Sequence, residues 1–125
     1  MKIVSWNIRG CNHPRNIKTL ARNIKQERPD VLFLQETKCS FEAMKKLRQK
    51  IWKGSRVMAT DADRMAGGMA VLWRPSIIDL SEWRSNHLSL IAKFKFSGSR
   101  IIGTLVNGYG PSAFPQKHAF PRLLH

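Results

Sequence analysis

Acidic residues are scarce in this sequence. Its 125 residues include 8 Asp and Glu against 22 Lys and Arg, which gives a formal net charge of +14 at pH 7. A charge of that size on a short chain favours a polyanionic partner, and nucleic acid is the first candidate. A basic protein whose charge serves solubility, or a ribosome-like scaffold, is the alternative on composition alone.

Long apolar runs and paired cysteines are also missing. No stretch reaches the roughly 18 to 20 consecutive apolar residues of a membrane span, and the N-terminus lacks the order of a signal peptide. We therefore expect an intracellular protein, with the nucleus open as a compartment, no membrane partner and no defined protein partner. In a reducing setting Cys11 and Cys39 are expected to be free thiols, and a zinc site formed with His13 is the weaker alternative.

The rest of the composition is typical of one folded domain. Hydrophobic residues make up 42% of the chain and include four Trp and six Phe, which is enough for a single core. The sequence contains no internal repeat, no low-complexity tract and no Gly/Ser linker. We therefore place one domain over residues 1–125, without an internal boundary.

The first third of the chain carries the pattern strand, helix, strand. Residues 2–10, KIVSWNIRG, form an apolar run of strand length, and apolar residues recur at helical spacing between Ile17 and Ile24. Pro29 closes that helix, and residues 31–34 form a second apolar strand. A strand, a helix and a second strand in one sheet make a parallel pair with a right-handed crossover.

The remainder predicts one more helix and then strands. A helix is predicted from Phe41 to Trp52, with Ser40 as its N-cap. Beyond it the apolar period changes to two, which is typical of strands, and residues 97–99, SGS, suit a hairpin turn. Five strands are expected, at residues 55–60, 67–73, 76–83, 88–96 and 100–107. This order indicates a mixed α/β fold that ends in a meander.

Two polar side chains are predicted at the same edge of the sheet. Asn7 ends the first strand and Glu36 follows the second, and the carboxyl ends of parallel strands share an edge. An amide and a carboxylate there, in a strongly basic protein, suggest a hard divalent cation that faces a phosphate. The alternatives are that Asn7 only caps its strand by hydrogen bonds to neighbouring backbone and that Glu36 is solvated.

Four motifs occur in an order and at separations that resemble the endonuclease/exonuclease/phosphatase family. They are SWNIRG at residues 5–10, PDVLFLQETK at 29–38, GGMAVLW at 67–73 and NGYGP at 107–111. The sequence is particularly similar to the apurinic-type endonuclease domain that begins LINE-type, non-LTR retrotransposon polyproteins, over essentially the whole chain. The resemblance implies one half of a four-layer α/β/β/α sandwich, in which two helices cover a mixed β-sheet.

The resemblance also implies roles for three residues and a cofactor. Asn7 would contact the scissile phosphate and help to orient the site. Glu36 would ligate Mg²⁺, or Mn²⁺ in its place. Tyr109 would hydrogen-bond the phosphate.

A basic helical run favours DNA as the partner, bound through its phosphate backbone. DNA is also the partner that the resemblance implies. A run of this kind suits a long polyanion better than a small phosphoester, although it is also common on solvated helix faces. The residues that we expect to contact nucleic acid are Lys45, Lys46, Arg48 and Lys50.

Two motifs that complete the family's site are missing. Members of the family continue for about as long again and supply a Gly-Asp-x-Asn motif and a terminal Ser-Asp-His, neither of which occurs here. The resemblance therefore implies a truncated Mg²⁺-dependent DNA endonuclease domain, with weak metal binding and no hydrolysis of its own. It also implies an exposed apolar sheet face, because the absent half would supply most of the second sheet. A non-catalytic nucleic-acid-binding remnant and a phosphatase of the same superfamily acting on small phosphoesters are the alternatives.

Overall fold

The computed structural model describes residues 1–11, 13–60, 67–85, 89–98 and 102–108. Within these ranges lie the helices α1 (Pro14–Glu27) and α2 (Phe41–Ile51). The strands there are β1 (Ile3–Asn7), β2 (Val31–Gln35), β3 (Arg56–Ala59), β4 (Met69–Trp73), β5 (Ile78–Ser85), β6 (Ser89–Phe96) and β7 (Ile102–Gly108). The predicted order of strand, helix, strand, helix and five further strands is confirmed.

Both ends of α1 are closed by local hydrogen bonds. At its start the Nδ1 atom of His13 accepts a hydrogen bond from the backbone N–H of Arg15 at 3.2 Å, and Pro14 occupies the first turn, where a missing N–H costs nothing. At its end Arg28 adopts a left-handed conformation, with φ 48°, and donates its N–H to the carbonyl oxygen of Ile24 at 2.9 Å. The helix therefore ends just before the proline that the sequence marks as its stop.

The second helix begins at the predicted cap. The Oγ atom of Ser40 accepts a hydrogen bond from the backbone N–H of Ala43 at 3.1 Å. Met44, Leu47 and Ile51 form the buried face of α2 and pack with buried residues of α1 and of the sheet. The helix ends one residue earlier than predicted, at Ile51.

The first sheet is mixed and has the strand order β1-β2-β4-β3. β1 and β2 are parallel, whereas β4 is antiparallel to β2 and to β3. Alternate residues of β2 face opposite sides: Leu32 and Leu34 pack beneath the helices, and Val31 and Phe33 face away from them. All five residues of β2 are buried, which explains why residues 31–34 are continuously apolar rather than alternating. The fifth, Gln35, donates from Nε2 to Oγ of Ser5 at 2.8 Å.

The far face of the first sheet is covered by a second sheet from this same chain. Its strand order is β5-β6-β7, and all of its pairs are antiparallel. Leu90, Phe94 and Leu105 from this sheet share one buried cluster with Val31 and Phe33. The expectation of an exposed apolar sheet face is therefore wrong: alternating apolar residues in β5 to β7 supply the inward face of a second layer. The helices and the two sheets form half of the α/β/β/α sandwich.

Gly103 leaves room for an aromatic ring within the second sheet. It pairs directly with Phe94, and a Cβ atom at residue 103 would lie 2.5 Å from Cε1 and 2.6 Å from Cζ of that ring. The ring is held in turn by an edge-to-face contact with Phe96, with centroids 5.5 Å apart. Glycine at this position therefore lets Phe94 lie across the backbone of the neighbouring strand.

We expect Gly103→Ala to destabilise the chain by about 1–3 kcal/mol, because the Phe94 ring must move within a packed core. Urea unfolding of the variant and of the unchanged chain measures the difference. Adding Phe94→Leu should recover part of the loss, since the smaller side chain accommodates the new methyl group. A Gly103→Ala variant as stable as the unchanged chain would show that the ring moves without cost.

The described residues contain no helix long and apolar enough to cross a membrane.

Candidate functional site

Asn7 and Glu36 lie at the same edge of the first sheet. Asn7 is the last residue of β1 and pairs in register with Gln35, the last residue of β2, so Glu36 is the next residue beyond that pair. The parallel β1-α1-β2 arrangement therefore brings the two predicted residues to neighbouring strand ends, as the sequence predicts. Their chemical roles stay a prediction.

The loop after β2 is bonded to the loop after β1. The backbone N–H of Gly10 donates to the carbonyl oxygen of Glu36 at 2.7 Å, and the N–H of Cys11 donates to the carbonyl oxygen of Thr37 at 2.9 Å. These bonds continue the parallel pairing beyond the ends of the two strands. The backbone on both sides of Glu36 is therefore held against the loop that follows Asn7.

The same loop is bonded on its other side to the entry of β4. The N–H of Thr37 donates to the carbonyl oxygen of Gly68 at 3.1 Å, and the N–H of Lys38 donates to that of Gly67 at 2.9 Å. The two glycines thus contribute backbone acceptors. The Glu36 loop is fixed between two neighbours rather than projecting alone.

Left-handed backbone is concentrated in these three loops. Such conformations are uncommon for residues other than glycine and cost those residues about 1–2 kcal/mol each, so the grouping of Arg9, Glu36 and Lys38 at one edge is typical of a functional site. The residues concerned are Arg9 (φ 51°), Gly10 (φ 106°), Glu36 (φ 54°), Lys38 (φ 54°), Gly67 (φ 63°) and Gly68 (φ 88°).

Asn7 also makes the local contact that the alternative interpretation describes. Its Oδ1 atom accepts a hydrogen bond from the backbone N–H of Arg9 at 3.3 Å, a turn that Asn commonly forms. The side chain is exposed, so this bond does not bury the amide. Capping the strand end and contacting a ligand are compatible roles, because one amide carries an acceptor oxygen and two N–H donors.

Asn16 is a supporting residue that the sequence did not single out. From the first turn of α1 its Nδ2 atom donates to the carbonyl oxygen of Gly10 at 3.0 Å and to that of Ile8 at 3.4 Å. These bonds position the loop that follows Asn7. An asparagine near a helix start is a usual capping signal, so the sequence alone does not indicate a bond to the preceding loop.

A divalent metal fits the chemistry of this edge only in part. A carboxylate and an amide oxygen are ligands that Mg²⁺ accepts, and this cation usually keeps several waters alongside one or two carboxylates. Among the described residues no group of three His, Cys, Asp or Glu side chains is placed to hold a metal ion. That finding gives no support to the zinc alternative either. In addition, the Nδ1 atom of His13 is already used to cap α1. Tyr109 lies outside the described residues.

The basic residues of α2 border an open groove on a different part of the surface. The groove has a volume of about 860 Å³ and is formed by α2, the turn that follows it, the start of β3 and parts of β4 and β5. The basic side chains that line it are Lys45, Lys46, Arg48 and Arg56. Lys50 is exposed on the same helix but does not line the groove.

Two of these cations already have partners within the chain. Arg48 donates from Nη1 to the carbonyl oxygen of Ser55 at 2.7 Å, and so it ties α2 to the turn before β3. The Nζ atom of Lys45 lies 3.8 Å from Oε1 of Glu42 and 5.2 Å from the ring centroid of Phe41. The Glu42 pair is exposed and weak, so Lys45 can contact a phosphate more easily than Arg48 can.

Comparison with family models assigns the chain to a family. The model described as "Endonuclease/Exonuclease/phosphatase family" matches residues 4–115. The chain therefore belongs to the endonuclease/exonuclease/phosphatase family. No curated protein matches the chain at a significant level.

Solved structures share the fold at low sequence identity. The AP endonuclease LMAP from Leishmania major is 20% identical with a TM-score of 0.65, over 86% of this chain and 39% of its own. The catalytic domain of APE2 from Xenopus laevis is 17% identical with a TM-score of 0.63, over 100% and 51%. A mannosyl-6-phosphatase from Bacteroides thetaiotaomicron is 12% identical with a TM-score of 0.66, over 85% and 50%. The chain thus spans about half the length of the structures that it resembles.

Proposed function

We propose that this chain is the N-terminal part of a Mg²⁺-dependent DNA endonuclease domain of the LINE-type retrotransposon kind, and that it does not cleave DNA on its own. The observation that carries the proposal is the meeting of Asn7 and Glu36 at neighbouring strand ends, in a member of this family with a net charge of +14. The four sequence motifs and the likeness to two endonuclease folds support it.

In this proposal the edge residues bind and orient a phosphodiester. The Glu36 carboxylate would hold Mg²⁺, which when bound would stabilise negative charge at the phosphate. Asn7 would contact the scissile phosphate through its amide while the bond to Arg9 fixes its orientation. We assign Tyr109 a hydrogen bond to the same phosphate.

Binding by the 125-residue chain is expected to be separable from cleavage. Hydrolysis of a phosphodiester needs a base to activate water and donors for the developing charge. The sequence holds neither Gly-Asp-x-Asn nor Ser-Asp-His, and one carboxylate gives Mg²⁺ few protein ligands. Lys45, Lys46 and Lys50 offer contacts to the DNA backbone that require none of those groups. Their exposure and the groove beside α2 also favour the second candidate, a nucleic-acid-binding remnant without catalysis.

Nicking of supercoiled plasmid with Mg²⁺ tests this proposal. We expect no nicking by the chain alone and nicking by a form extended with the C-terminal half of an AP endonuclease relative. In the extended form Glu36→Gln should lower the rate by at least about 100-fold, because a direct metal ligand matters at least as much as an outer one.

Glu27→Gln in the extended form is the matched control, since Glu27 is exposed at the end of α1 and does not line the groove, and it should leave the rate unchanged. The proposal would be contradicted if the unextended chain nicked the plasmid and Glu36→Gln abolished that nicking, because binding and cleavage would then not be separable. Hydrolysis of a small phosphomonoester without DNA binding would favour the phosphatase alternative.

A further inference from the structure

Cys11 and Cys39 lie together beneath the candidate site. Cys11 is in the loop after β1 and Cys39 is in the loop between β2 and α2. Both are free thiols, and their residues are only 6% and 8% exposed. The backbone bond from Cys11 N–H to the Thr37 carbonyl oxygen, at 2.9 Å, holds the two loops side by side.

The two thiols belong to one buried cluster, next to a third sulfur atom. The Sγ atom of Cys11 lies 3.6 Å from Sδ of Met44, which is fully buried on α2. The single S–H of Cys11 cannot serve both neighbours fully, and an ionised Cys39 sulfur is a stronger acceptor than a thioether. When Cys39 ionises, the Cys11 thiol therefore donates to the Cys39 thiolate in place of Met44.

The pKa values of the two thiols shift in opposite directions. The hydrogen bond from Cys11 lowers the pKa of Cys39 to about 7, against the opposing effect of burial. The same bond, together with burial, raises the pKa of Cys11 above its usual range. Cys39 is therefore the thiol of the pair that ionises first, which gives the nucleophilic form, and Cys11 keeps its proton.

We propose that Cys11 and Cys39 form a reversible disulfide when the chain meets hydrogen peroxide. The Cys39 thiolate attacks one oxygen atom of the peroxide, the O–O bond breaks, and sulfenic acid and hydroxide form. The sulfur of Cys11 then attacks the Cys39 sulfur, the S–O bond breaks, and the thiol proton leaves with the hydroxyl group as water. Two thiols are oxidised by two electrons and one peroxide is reduced.

The burial of Cys11 and Cys39 limits which oxidant can reach them and which disulfide can form. A small oxidant reaches a thiol that is almost covered, whereas a protein disulfide does not. A second chain is excluded for the same reason, so an intramolecular bond is favoured over a dimer. The bond would join positions 11 and 39 and fix the Asn7 loop to the Glu36 loop covalently. Its formation does not depend on what the edge binds.

Intact mass and thiol counts after peroxide treatment test this proposal on the unmodified 125-residue chain. We expect a loss of about 2 Da, no thiol titratable after unfolding, and full reversal by dithiothreitol. Peptide mapping without reductant should recover the segments around Cys11 and Cys39 as one linked species. Persistence of two titratable thiols, or linkage between two chains instead, would overturn the proposal.

Three variants separate the proposed steps. Cys11→Ser should stop at a sulfenic acid on Cys39, seen as a dimedone adduct, because no second sulfur can displace the hydroxyl group. Cys39→Ser should oxidise at least about 10-fold more slowly, since burial still raises the pKa of the remaining Cys11 thiol. Met44→Leu is the matched control and should still form the disulfide, because leucine fills the same space. Equal oxidation rates in the two serine variants would show that Cys39 is not the attacking thiol.

Discussion

Duplex DNA should bind to this chain about 1,000-fold more weakly at about 200 mM salt than at about 50 mM, because binding releases counterions from the phosphates that lysine and arginine neutralise. About six such contacts give a log–log slope near −5, at about 0.9 per contact. The charge of +14 is ample for six contacts. Fluorescence anisotropy with duplexes of two unrelated sequences measures the slope and should show little difference between them.

A matched pair of triple variants locates the contacts. Lys45→Gln with Lys46→Gln and Lys50→Gln should bring the slope to about −3, since each lost phosphate contact removes about 0.9. The control removes the same charge from exposed positions on the other helix, with Lys18→Gln, Arg22→Gln and Lys25→Gln, and should change the slope little. Arg48 is kept because it bonds the backbone at Ser55. An equal change of slope in both variants would mean that DNA binding depends only on the net charge of the chain.

Phe33→Ala should destabilise the chain by about 3–5 kcal/mol, which lowers the folding equilibrium constant by about 150- to 5,000-fold. Phe33 is 1% exposed at the centre of β2, where it packs between the two sheets. Its removal leaves a cavity that neighbours on two rigid sheets cannot fill. Urea unfolding followed by circular dichroism measures the loss.

An exposed position on the second sheet supplies the control for this prediction. Ile91 is 39% exposed and faces away from the shared cluster, so Ile91→Ala should cost less than about 1 kcal/mol. A Phe33→Ala variant that loses no more than Ile91→Ala would mean that the second sheet does not cover the first in solution. The experiment therefore also tests the correction to the expected apolar face.

The sequence predicted the parts of the fold that local rules determine. Pro29 and the Ser40 cap mark helix boundaries, and the right-handed crossover then brings Asn7 and Glu36 to one edge. The alternation in β6 shows that Leu90 and Phe94 share a face, but it does not show what that face packs against. For that reason the strands were predicted correctly and the coverage of the first sheet was not.

The details of the site depend on contacts between loops, which the periodicity of apolar residues in the sequence does not indicate. The left-handed backbone at Glu36 follows from hydrogen bonds to two neighbouring loops rather than from its own residue type. The proposed pairing of Cys11 with Cys39 joins loops at two different strand ends, whereas their spacing in the sequence suggested free thiols or, more weakly, a zinc site with His13. Arg48 was grouped with the other cations of α2 because a charge pattern cannot distinguish a solvated guanidinium from one that bonds a carbonyl.

The left-handed conformation of Glu36 bears on how this position tolerates substitution. At φ 54° a glycine would relieve roughly 1–2 kcal/mol of backbone strain, and asparagine would be accommodated better than glutamate. Backbone strain alone would therefore favour replacement of Glu36, whereas selection for a carboxylate at this edge would retain it. The two effects therefore oppose each other at Glu36. Among related sequences that no longer need a carboxylate here, we expect Glu36 to be one of the first residues of this edge to be replaced, most often by glycine.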